Sequence, residues 1–248
     1  MKIITAFRML FRRITARNPR DRLEGGYVLL EGLARVLAPA EALGERGKIW
    51  MRDREFLDFC RRLDGDNLRS AERKYFLRSL AGLVRDLPGD TAECGVFRGT
   101  SSCVICAAMD GTGKEHHGFD SFEGLPDPGP ADGEYWKRGD LRAAEAEALG
   151  RLAAFPFARL HAGVIPARFP EVADRRFSLV HVDVDLYRPT IDSLEFFYPR
   201  MVPGGVIVGD DYGFDTCPGA RRAFDEFMAG KPERLVPVPT GQAFVVKR

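Results

Sequence analysis

Two pairs of acidic residues, each at the end of an apolar run, are the part of this sequence best able to do chemistry. Asp183 and Asp185 lie in "LVHVDVDLY", and Asp210 and Asp211 follow "GGVIVG". Both runs are typical of strands, and on a strand Asp183 and Asp185 would point to the same side. Burying two carboxylates side by side is unfavourable unless something compensates their charge.

If the two runs form neighbouring parallel strands, their carboxyl ends lie about 5 Å apart, and the four acids converge there. Such a cluster requires protons or a cation to offset the repulsion between its charges. A hard divalent ion is the simplest solution, and Mg²⁺ is preferred because its protein ligands are oxygens. Taken alone, the first pair also fits a helix cap beside a surface acid. Two such pairs at adjacent strand ends favour the metal site.

The elements that must position these acids alternate along the chain after residue 88. Short apolar runs predict strands at 91–96, 116–120, 159–163, 177–184 and 204–210. Amphipathic stretches predict helices at 100–109, 141–155, 190–201 and 218–229. The last two runs, 234–239 and 243–248, are joined only by "TGQ", which predicts a hairpin. We therefore predict an α/β fold with a mostly parallel, seven-stranded, Rossmann-like sheet, the layout of class I methyltransferases.

The N-terminal part of the sequence has a different pattern. Residues 25–88 contain helical pieces, so we predict a helical extension over 1–70 and a catalytic domain over 71–248. Residues 1–22 combine an apolar helical face with seven basic residues and one acid. Such a helix would lie on an anionic membrane surface, or it would pack on its own domain or on a second subunit. We favour packing.

Composition excludes several classes of protein. The 248 residues are 45% hydrophobic, enough for one substantial core, and a formal net charge of +1 argues against a nucleic acid partner. Five scattered cysteines indicate no disulfide framework, so we expect a reducing, cytoplasmic location. Cys103 and Cys106 have C-x-x-C spacing, but their apolar helical surroundings favour a structural role over redox or zinc chemistry. No apolar run is as long as the roughly 18 residues that a membrane span needs.

A turn between the first strand and the first helix, "ECGVFRG" at 93–99, is the candidate cofactor site. Glycines let a ligand approach the backbone, and the free N–H groups at a helix start attract a carboxylate. Glu93 would hold a ligand ammonium group, and Asp120, which ends the second strand, would bond ribose hydroxyls. A tight strand–helix turn and a helix N-cap are the alternatives. The candidate cofactor-binding residues are Glu93, Gly95, Gly99, Thr100, Ser101, Asp120, Ser121, Phe122 and Gly163.

Two further features have open interpretations. His181 alternates with Asp183 and Asp185, yet a single histidine in a strand is more often a packed residue than a functional one. Residues 124–141 are rich in proline, glycine and aspartate and contain Tyr135 and Trp136. This segment is either a solvated loop or a lid over the substrate.

Together these stretches resemble the macrocin O-methyltransferase family. The matching segments occur in order over about residues 66–229 and are "DNLRSAERKYFL", "PGDTAECGVFRGTSS", "FDSFEGLPDP", "VDVDLYRPTIDSLEFFYPRMVPGGVIVGDDYG" and "CPGARRAFDEF". The sequence "CGVFRGTSS" stands where relatives tend to have "TGVWRGG". The N-terminal 60 residues match poorly.

The resemblance implies an enzyme that transfers a methyl group from S-adenosylmethionine to a sugar hydroxyl and needs Mg²⁺. The implied metal ligands are Asp183, Asp210 and Asp211; the implied base is Asp185; the implied cofactor contacts are Glu93, Gly95 and Asp120. Residues 71–248 would then be the S-adenosylmethionine-dependent domain. In the family the N-terminal region helps form the acceptor site and the dimer, so a homodimer is expected and the identity of the small-molecule or glycan acceptor stays open.

Two other classes of function compete with O-methyl transfer. A glycosyltransferase would use the DxD acids to hold a divalent ion on a sugar nucleotide, but here the acids follow the glycine turn and Asp120 in methyltransferase order. A non-catalytic binding module on the same fold is the other class, and the presence of all four acids argues against it. Thermal protection by S-adenosylmethionine or by sugar nucleotides separates the first two functions, and methyl transfer to any acceptor excludes the third.

Overall fold

The computed structural model describes residues 49–65 and 70–248. The membrane and dimer predictions for residues 1–22 and the helical piece at 26–43 lie outside these residues. The predicted boundary at residue 70 stays a prediction. A helix that the sequence assigned to the extension, α1 (Arg54–Asp64), packs on α2 (Ala71–Leu83), and both belong to one compact unit, Trp50–Arg248.

Within the described part of the chain, seven strands form one sheet. They are β1 (Asp90–Cys94), β2 (His116–Asp120), β3 (Ala158–Ala162), β4 (Phe177–Val182), β5 (Met201–Gly209), β6 (Val236–Pro237) and β7 (Ala243–Val246). The strand order is β3-β2-β1-β4-β5-β7-β6. The first five strands are parallel, and β7 runs antiparallel to both β5 and β6. The predicted parallel sheet with a terminal hairpin is confirmed.

Helices cover both faces of this sheet. In the described ranges four helices follow α2: α3 (Thr100–Met109), α4 (Glu145–Leu152), α5 (Tyr187–Phe197) and α6 (Pro218–Met228). Single 3₁₀ turns occupy Ile49–Arg52, Phe169–Val172 and Tyr198–Arg200. One core cluster joins α2 and α3 to residues such as Leu179 and Val206, and the other joins α5 and α6 to Val180 and Ile207. Because both faces are covered, all six residues of β4 are buried, as expected for a central parallel strand.

The prediction that the fourth strand continues through Val184 was wrong. The strand ends at Val182, although the N–H of Asp183 still donates to the carbonyl oxygen of Cys94 at 2.8 Å. The chain then turns, and Asp185 has a φ of +57°, in the left-handed region that non-glycine residues rarely adopt. The alternation of a strand therefore does not orient Asp185.

The cysteines are all buried and none forms a disulfide. Burial raises the pKa of Cys103 to about 12 and raises that of Cys106 further, so both thiols stay protonated at neutral pH. These two residues contribute to the core between α3 and α4, in line with the structural role expected from the sequence. Among the described residues, no helix is sufficiently long and apolar to cross a bilayer.

Candidate active site

A large open cleft of about 1310 Å³ lies at the carboxyl ends of the parallel strands. This is where open α/β sheets place their ligands. Of the residues singled out from the sequence, the cleft is lined by Gly95, Thr100, Ser101, Asp120, Ser121, His181, Asp183, Asp185, Asp210 and Asp211.

The four acids of the two strand ends come together in this cleft. The β4–β5 register pairs Val182 with Gly209, so the residues that follow these two lie side by side. The backbone N–H of Asp185 donates to Oδ2 of Asp211 at 2.9 Å. Asp183 and Asp210 each present a ligand atom within 4.8 Å of a ring nitrogen of His181 and of one another. Asp185 and Asp211 form a second group, at the same spacing, with the thiol of Cys217.

The electrostatics of the cluster favour a bound cation or proton. Burial raises the pKa of Asp183, and burial together with the charge of Asp183 raises that of Asp185 to about 7. Burial, followed by the charges of Asp185 and Asp183, raises the pKa of Asp211 well above its ordinary value. The charge of Asp183 therefore makes both Asp185 and Asp211 harder to ionise, which is the repulsion that the sequence led us to expect.

Glu93 lies beneath the cluster and does not line the cleft. Its side chain is fully buried, one carboxylate oxygen accepts from the hydroxyl of Ser102, and the other lies 2.7 Å from Nδ1 of His181. Burial alone would raise the pKa of Glu93, but His181, the charge of His116 and the hydrogen bond from Ser102 together outweigh it and lower the pKa. Glu93 is therefore not placed to bind the ligand's ammonium group as the sequence predicted, because its two oxygens contact Ser102 and His181 in the interior.

His181 lies between Glu93 and the acid cluster and contacts both. Its Nε2 lies 3.3 Å from Oδ1 of Asp210, which also accepts from Nε2 of Gln242 at 2.7 Å. Glu93 and His181 face each other across β1 and β4 in the sheet register. His181 is therefore both a packed residue, as the sequence favoured, and a direct neighbour of the candidate metal site.

The glycine turn brings its backbone against the acid cluster. Gly95 has a φ of +88°, and a Cβ there would lie 1.8 Å from the carbonyl oxygen of Asp183, so only glycine fits. Gly99 precedes α3 with a φ of +86° but does not line the cleft. Thr100 and Ser101, the first two residues of α3, do line it.

Asp120, at the end of β2, accepts hydrogen bonds from the backbone of two loops. Its Oδ2 accepts from the backbone N–H of Phe97, and its Oδ1 accepts from that of Phe122, both at 2.7 Å. Phe97 and Phe122 both have positive φ, so the carboxylate stabilises two uncommon turns beside the cleft. Phe122 is buried behind the cleft, and Gly163 lies outside its lining, with its N–H bonded to the carbonyl oxygen of Asp120.

Several polar residues of the site were not singled out from the sequence. Asp64, at the end of α1, accepts from Lys74 at 2.6 Å, from Thr100 at 2.8 Å and from Arg151 at 2.9 Å. Arg73, next to Lys74 on α2, binds Asp210. These contacts join residues far apart in sequence, so no local motif indicates them.

The segment 124–141 forms one wall of the cleft. Buried Asp132 anchors it, accepting from the N–H of Tyr187 at 2.6 Å at the start of α5 and from the N–H of Gly129 at 2.7 Å. The indole N–H of Trp136 donates to Sγ of Cys217 at 3.4 Å, and the Cys217 thiol lies 3.5 Å from Oδ1 of Asp185. Tyr135 packs edge-on against Trp136 and is 62% exposed. The segment thus has a fixed structure against the site.

Comparison with known proteins identifies the family of the chain. Residues 77–234 match the family described as Macrocin-O-methyltransferase (TylF). The chain is similar to 8-demethyl-8-(2,3-dimethoxy-alpha-L-rhamnosyl)-tetracenomycin-C 4'-O-methyltransferase of Streptomyces olivaceus, with 32% identity over 154 residues, 54% of this chain and 57% of that one. It is also similar to mycinamicin III 3''-O-methyltransferase of Micromonospora griseorubida, with 31% identity over 162 residues, 58% of this chain and 62% of that one.

A solved structure extends the likeness to the fold. The O-methyltransferase NovP superposes with a TM-score of 0.61 at 25% identity, over 71% of this chain and 79% of that chain. The predicted class I methyltransferase fold is thereby confirmed. The chain spans about three fifths of the length of the two sequence relatives, 57% and 62%.

Proposed function

Because the chain belongs to the macrocin-O-methyltransferase (TylF) family, we propose that it is a Mg²⁺-dependent O-methyltransferase. The methyl group would pass from S-adenosylmethionine to a hydroxyl of a sugar or a sugar-bearing metabolite. The observation that carries this proposal is the convergence of four carboxylates in a cleft that the glycine turn also lines. The rhamnosyl group in the name of the Streptomyces olivaceus relative supports a sugar acceptor.

The cofactor would lie over the ends of β1 and β2. The first turn of α3, with Thr100 and Ser101, has backbone N–H groups without helix partners, which suit the methionine carboxylate. Asp120 uses each carboxylate oxygen for one backbone N–H, so lone pairs remain for ribose hydroxyls. Ser121 lines the same part of the cleft. Gly95 lines the cleft, and its lack of a side chain lets the turn approach the carbonyl oxygen of Asp183, so the cofactor would lie directly beside the acid cluster.

The donor set of the acid cluster fits Mg²⁺. Asp183, Asp210 and Asp211 would hold the ion, since they offer carboxylate oxygens, which hard divalent cations prefer. The raised pKa values of Asp183 and Asp211 indicate that the protein alone does not offset the charge of the cluster. When bound, the ion would stabilise the negative charge that develops on the acceptor oxygen.

Asp185 would accept the proton of the acceptor hydroxyl. A general base works best when its pKa lies near the working pH, and burial and Asp183 raise the pKa of Asp185 to about 7. Its backbone N–H is bound to Asp211 and its Oδ1 contacts Cys217, so the carboxylate is held in one orientation. Methyl transfer then needs acceptor oxygen, methyl carbon and sulfur in line, which is a matter of positioning.

The acceptor would enter along the segment 124–141. Exposed Tyr135 offers an aromatic face at the cleft, and Trp136 connects that face to Cys217 beside the base. An aromatic ring of this kind combines apolar contact area with a polar hydroxyl, which suits a sugar ring. A homodimer and a cytoplasmic location stay predictions.

A methyl-transfer screen tests the proposal. The protein is incubated with labelled S-adenosylmethionine and a panel of free sugars, glycosylated small molecules and glycolipids, once with Mg²⁺ and once with EDTA. We expect transfer to at least one sugar-bearing acceptor, abolished by EDTA and restored by Mg²⁺. Activity unchanged by EDTA contradicts the metal dependence, and labelling of aglycones alone contradicts the sugar acceptor.

Cofactor binding is tested separately from activity. S-adenosylhomocysteine at about one hundred times its dissociation constant should add about 2.7 kcal/mol to the free energy of unfolding. A melting temperature that saturating S-adenosylhomocysteine does not change, in protein shown to be free of cofactor, contradicts the cofactor assignment. Sugar nucleotides serve as the matched control and should give no shift.

A further inference from the structure

Arg73 on α2 contributes a positive charge to the acid cluster. Its guanidinium NH1 forms an ion pair with Oδ2 of Asp210. The Arg73 side chain is 29% exposed and that of Asp210 only 6%, so the pair lies at the wall of the cleft with its carboxylate on the buried side. The two residues are 137 positions apart in the chain.

The hydrogen bonds of Asp210 determine where a metal ion could bind it. Oδ1 accepts from Nε2 of Gln242 at 2.7 Å and lies 3.3 Å from Nε2 of His181. Two nitrogen atoms therefore lie against Oδ1, which leaves a cation little room on that oxygen. Oδ2 is therefore the oxygen available to a cation, and Arg73 binds that oxygen.

The charge of Arg73 also acts on the other acids of the cluster. Burial raises the pKa of Asp183, Asp185 and Asp211, and the positive charge of Arg73 acts in the opposite direction on all three. Arg73 thus partly performs the electrostatic task expected of a divalent ion. A guanidinium and a divalent cation on the same carboxylate oxygen would repel each other strongly.

Arg73 contacts an aromatic ring at the same time as it pairs with Asp210. The centre of its guanidinium lies 5.0 Å from the centroid of the Phe214 ring, which also lines the cleft. A cation–π contact of this kind stabilises a guanidinium that has lost its carboxylate partner. Because the side chain is partly exposed, water would bind the remaining N–H groups.

We propose that Arg73 is an internal counter-ion that occupies Asp210 while the metal is absent and leaves it when the ion binds, so that Arg73 sets the metal affinity of the site. This inference rests on the Mg²⁺ dependence proposed above. Arg73 acts as a positioning residue through Asp210.

Lys74 is the matched control that the chain offers. It is adjacent to Arg73, lines the same cleft and carries the same charge, but it pairs with Asp64 at 2.6 Å instead of with a residue of the acid cluster. Loss of Lys74 therefore measures the general effect of one fewer positive charge in the cleft. Loss of Arg73 measures that effect plus the release of Asp210.

The experiment is a Mn²⁺ titration of metal-free protein, with free Mn²⁺ followed by electron paramagnetic resonance and no substrate present. Wild type is compared with Arg73→Met, Arg73→Lys and Lys74→Met, each checked for folding by circular dichroism, and Arg73→Gln replaces Arg73→Met if that variant does not fold. We expect Arg73→Met to bind Mn²⁺ at least about tenfold more tightly than wild type, which corresponds to about 1.4 kcal/mol. Lys74→Met should stay within about threefold of wild type, because Lys74 acts on the acid cluster only from a distance and contacts none of its carboxylates. Arg73→Lys should lie between wild type and Arg73→Met.

The possible results separate this inference from the proposed function. If wild type binds Mn²⁺ and Arg73→Met binds it equally or less tightly, or if Lys74→Met gains as much as Arg73→Met, the counter-ion role is contradicted and the metal dependence is not. If only the Arg73 variants bind Mn²⁺, the competition is supported and the metal dependence of the wild type is contradicted. If none of the proteins binds Mn²⁺, both are contradicted.

Discussion

The backbone N–H of Asp185 donates to Oδ2 of Asp211 at 2.9 Å, which joins the end of β4 to the end of β5. The contact fixes the turn in which Asp185 has its positive φ. It also holds two carboxyl groups close together at the bottom of the cleft, where burial raises the pKa of both and the charge of Asp185 raises that of Asp211 further. The stability of the protein should therefore depend on pH through this pair.

The free energy of unfolding of the metal-free protein should decrease as pH rises from about 4 to about 8. For a carboxyl group with a raised folded-state pKa, folding favours the protonated form. Its stabilising contribution is complete below the ordinary pKa of 3.8 and is lost as pH rises through the folded value, about 7 for Asp185. A group with a lowered pKa, such as Glu93, has the opposite effect on stability. Its stabilising contribution is complete above its ordinary pKa of 4.5 and is lost as pH falls below that value, so it does not contribute to the loss of stability as pH rises.

Urea unfolding at pH 5 and pH 8 measures this loss. Because one pKa unit corresponds to about 1.36 kcal/mol, we expect Asp185→Asn to reduce the loss of stability between the two pH values by about 1–3 kcal/mol. Saturating Mg²⁺ should reduce it in the wild type as well. Identical pH dependence of wild type and Asp185→Asn would show that Asp185 is not the titrating group.

Two glycine-to-alanine substitutions should have opposite effects. Gly95→Ala places a Cβ 1.8 Å from the carbonyl oxygen of Asp183, so we expect a loss of more than about 2 kcal/mol in stability and loss of S-adenosylhomocysteine binding. Gly82 lies inside α2 with no atom within 4 Å of the added Cβ, so Gly82→Ala should stabilise by about 0.5–1 kcal/mol. Thermal unfolding and calorimetry measure both variants, and equal effects would contradict the close approach at Gly95.

Substitutions at Asp120 and Glu93 should have different effects, the first on cofactor affinity and the second on stability. Asp120→Asn should weaken S-adenosylhomocysteine binding about tenfold or more, the effect of losing one or two hydrogen bonds to a charged group. Glu93→Gln should lower the melting temperature, because it disturbs the buried contacts with His181 and Ser102, yet leave the affinity within about threefold. Calorimetric titration at a temperature where both variants are folded gives the affinities. A greater loss for Glu93→Gln would restore the cofactor role first expected for it.

Substitution of Tyr135 should weaken binding of the acceptor without changing the affinity for the cofactor. Tyr135→Ala removes an exposed aromatic face from the cleft, so KM for the sugar acceptor should rise about five- to tenfold, the energy scale of one aromatic contact. Tyr135→Phe keeps the ring and should stay near wild type. Steady-state kinetics supply KM, and an equal change in S-adenosylhomocysteine affinity would place Tyr135 at the cofactor instead.

The sheet and the meeting of the acids could be predicted from the sequence. Alternating strands and helices determine a parallel sheet, and two acid pairs that follow neighbouring strands must meet at one edge. The turn at Asp185 could not be predicted, because it depends on the contact with Asp211 across two loops. The sequence does not indicate that Glu93 and His181 are neighbours. Only the β1–β4 register shows that they face each other.

The contacts of α2 were equally inaccessible to sequence reading. The pairing of Arg73 with Asp210 and that of Lys74 with Asp64 depend on how a helix packs beside the glycine turn. Both cations lie in "AERKYFL", which predicts an amphipathic helix and belongs to a segment that resembles the family, but neither pattern indicates their partners. Long-range charge pairs of this kind have no local signal.

The measurement that tests the central claim most directly is the methyl-transfer rate as a function of Mg²⁺ concentration for wild type, Asp183→Asn and Asp185→Asn. Asp183 belongs to the ligand group with His181 and Asp210, whereas Asp185 is proposed as the base. Asp183→Asn should weaken Mg²⁺ activation and be partly rescued by excess metal. Asp185→Asn should keep the wild-type Mg²⁺ dependence while kcat falls about a hundredfold or more, the scale of losing a general base. The same Mg²⁺ dependence in Asp183→Asn as in wild type, or full activity of EDTA-treated wild type, would contradict the account.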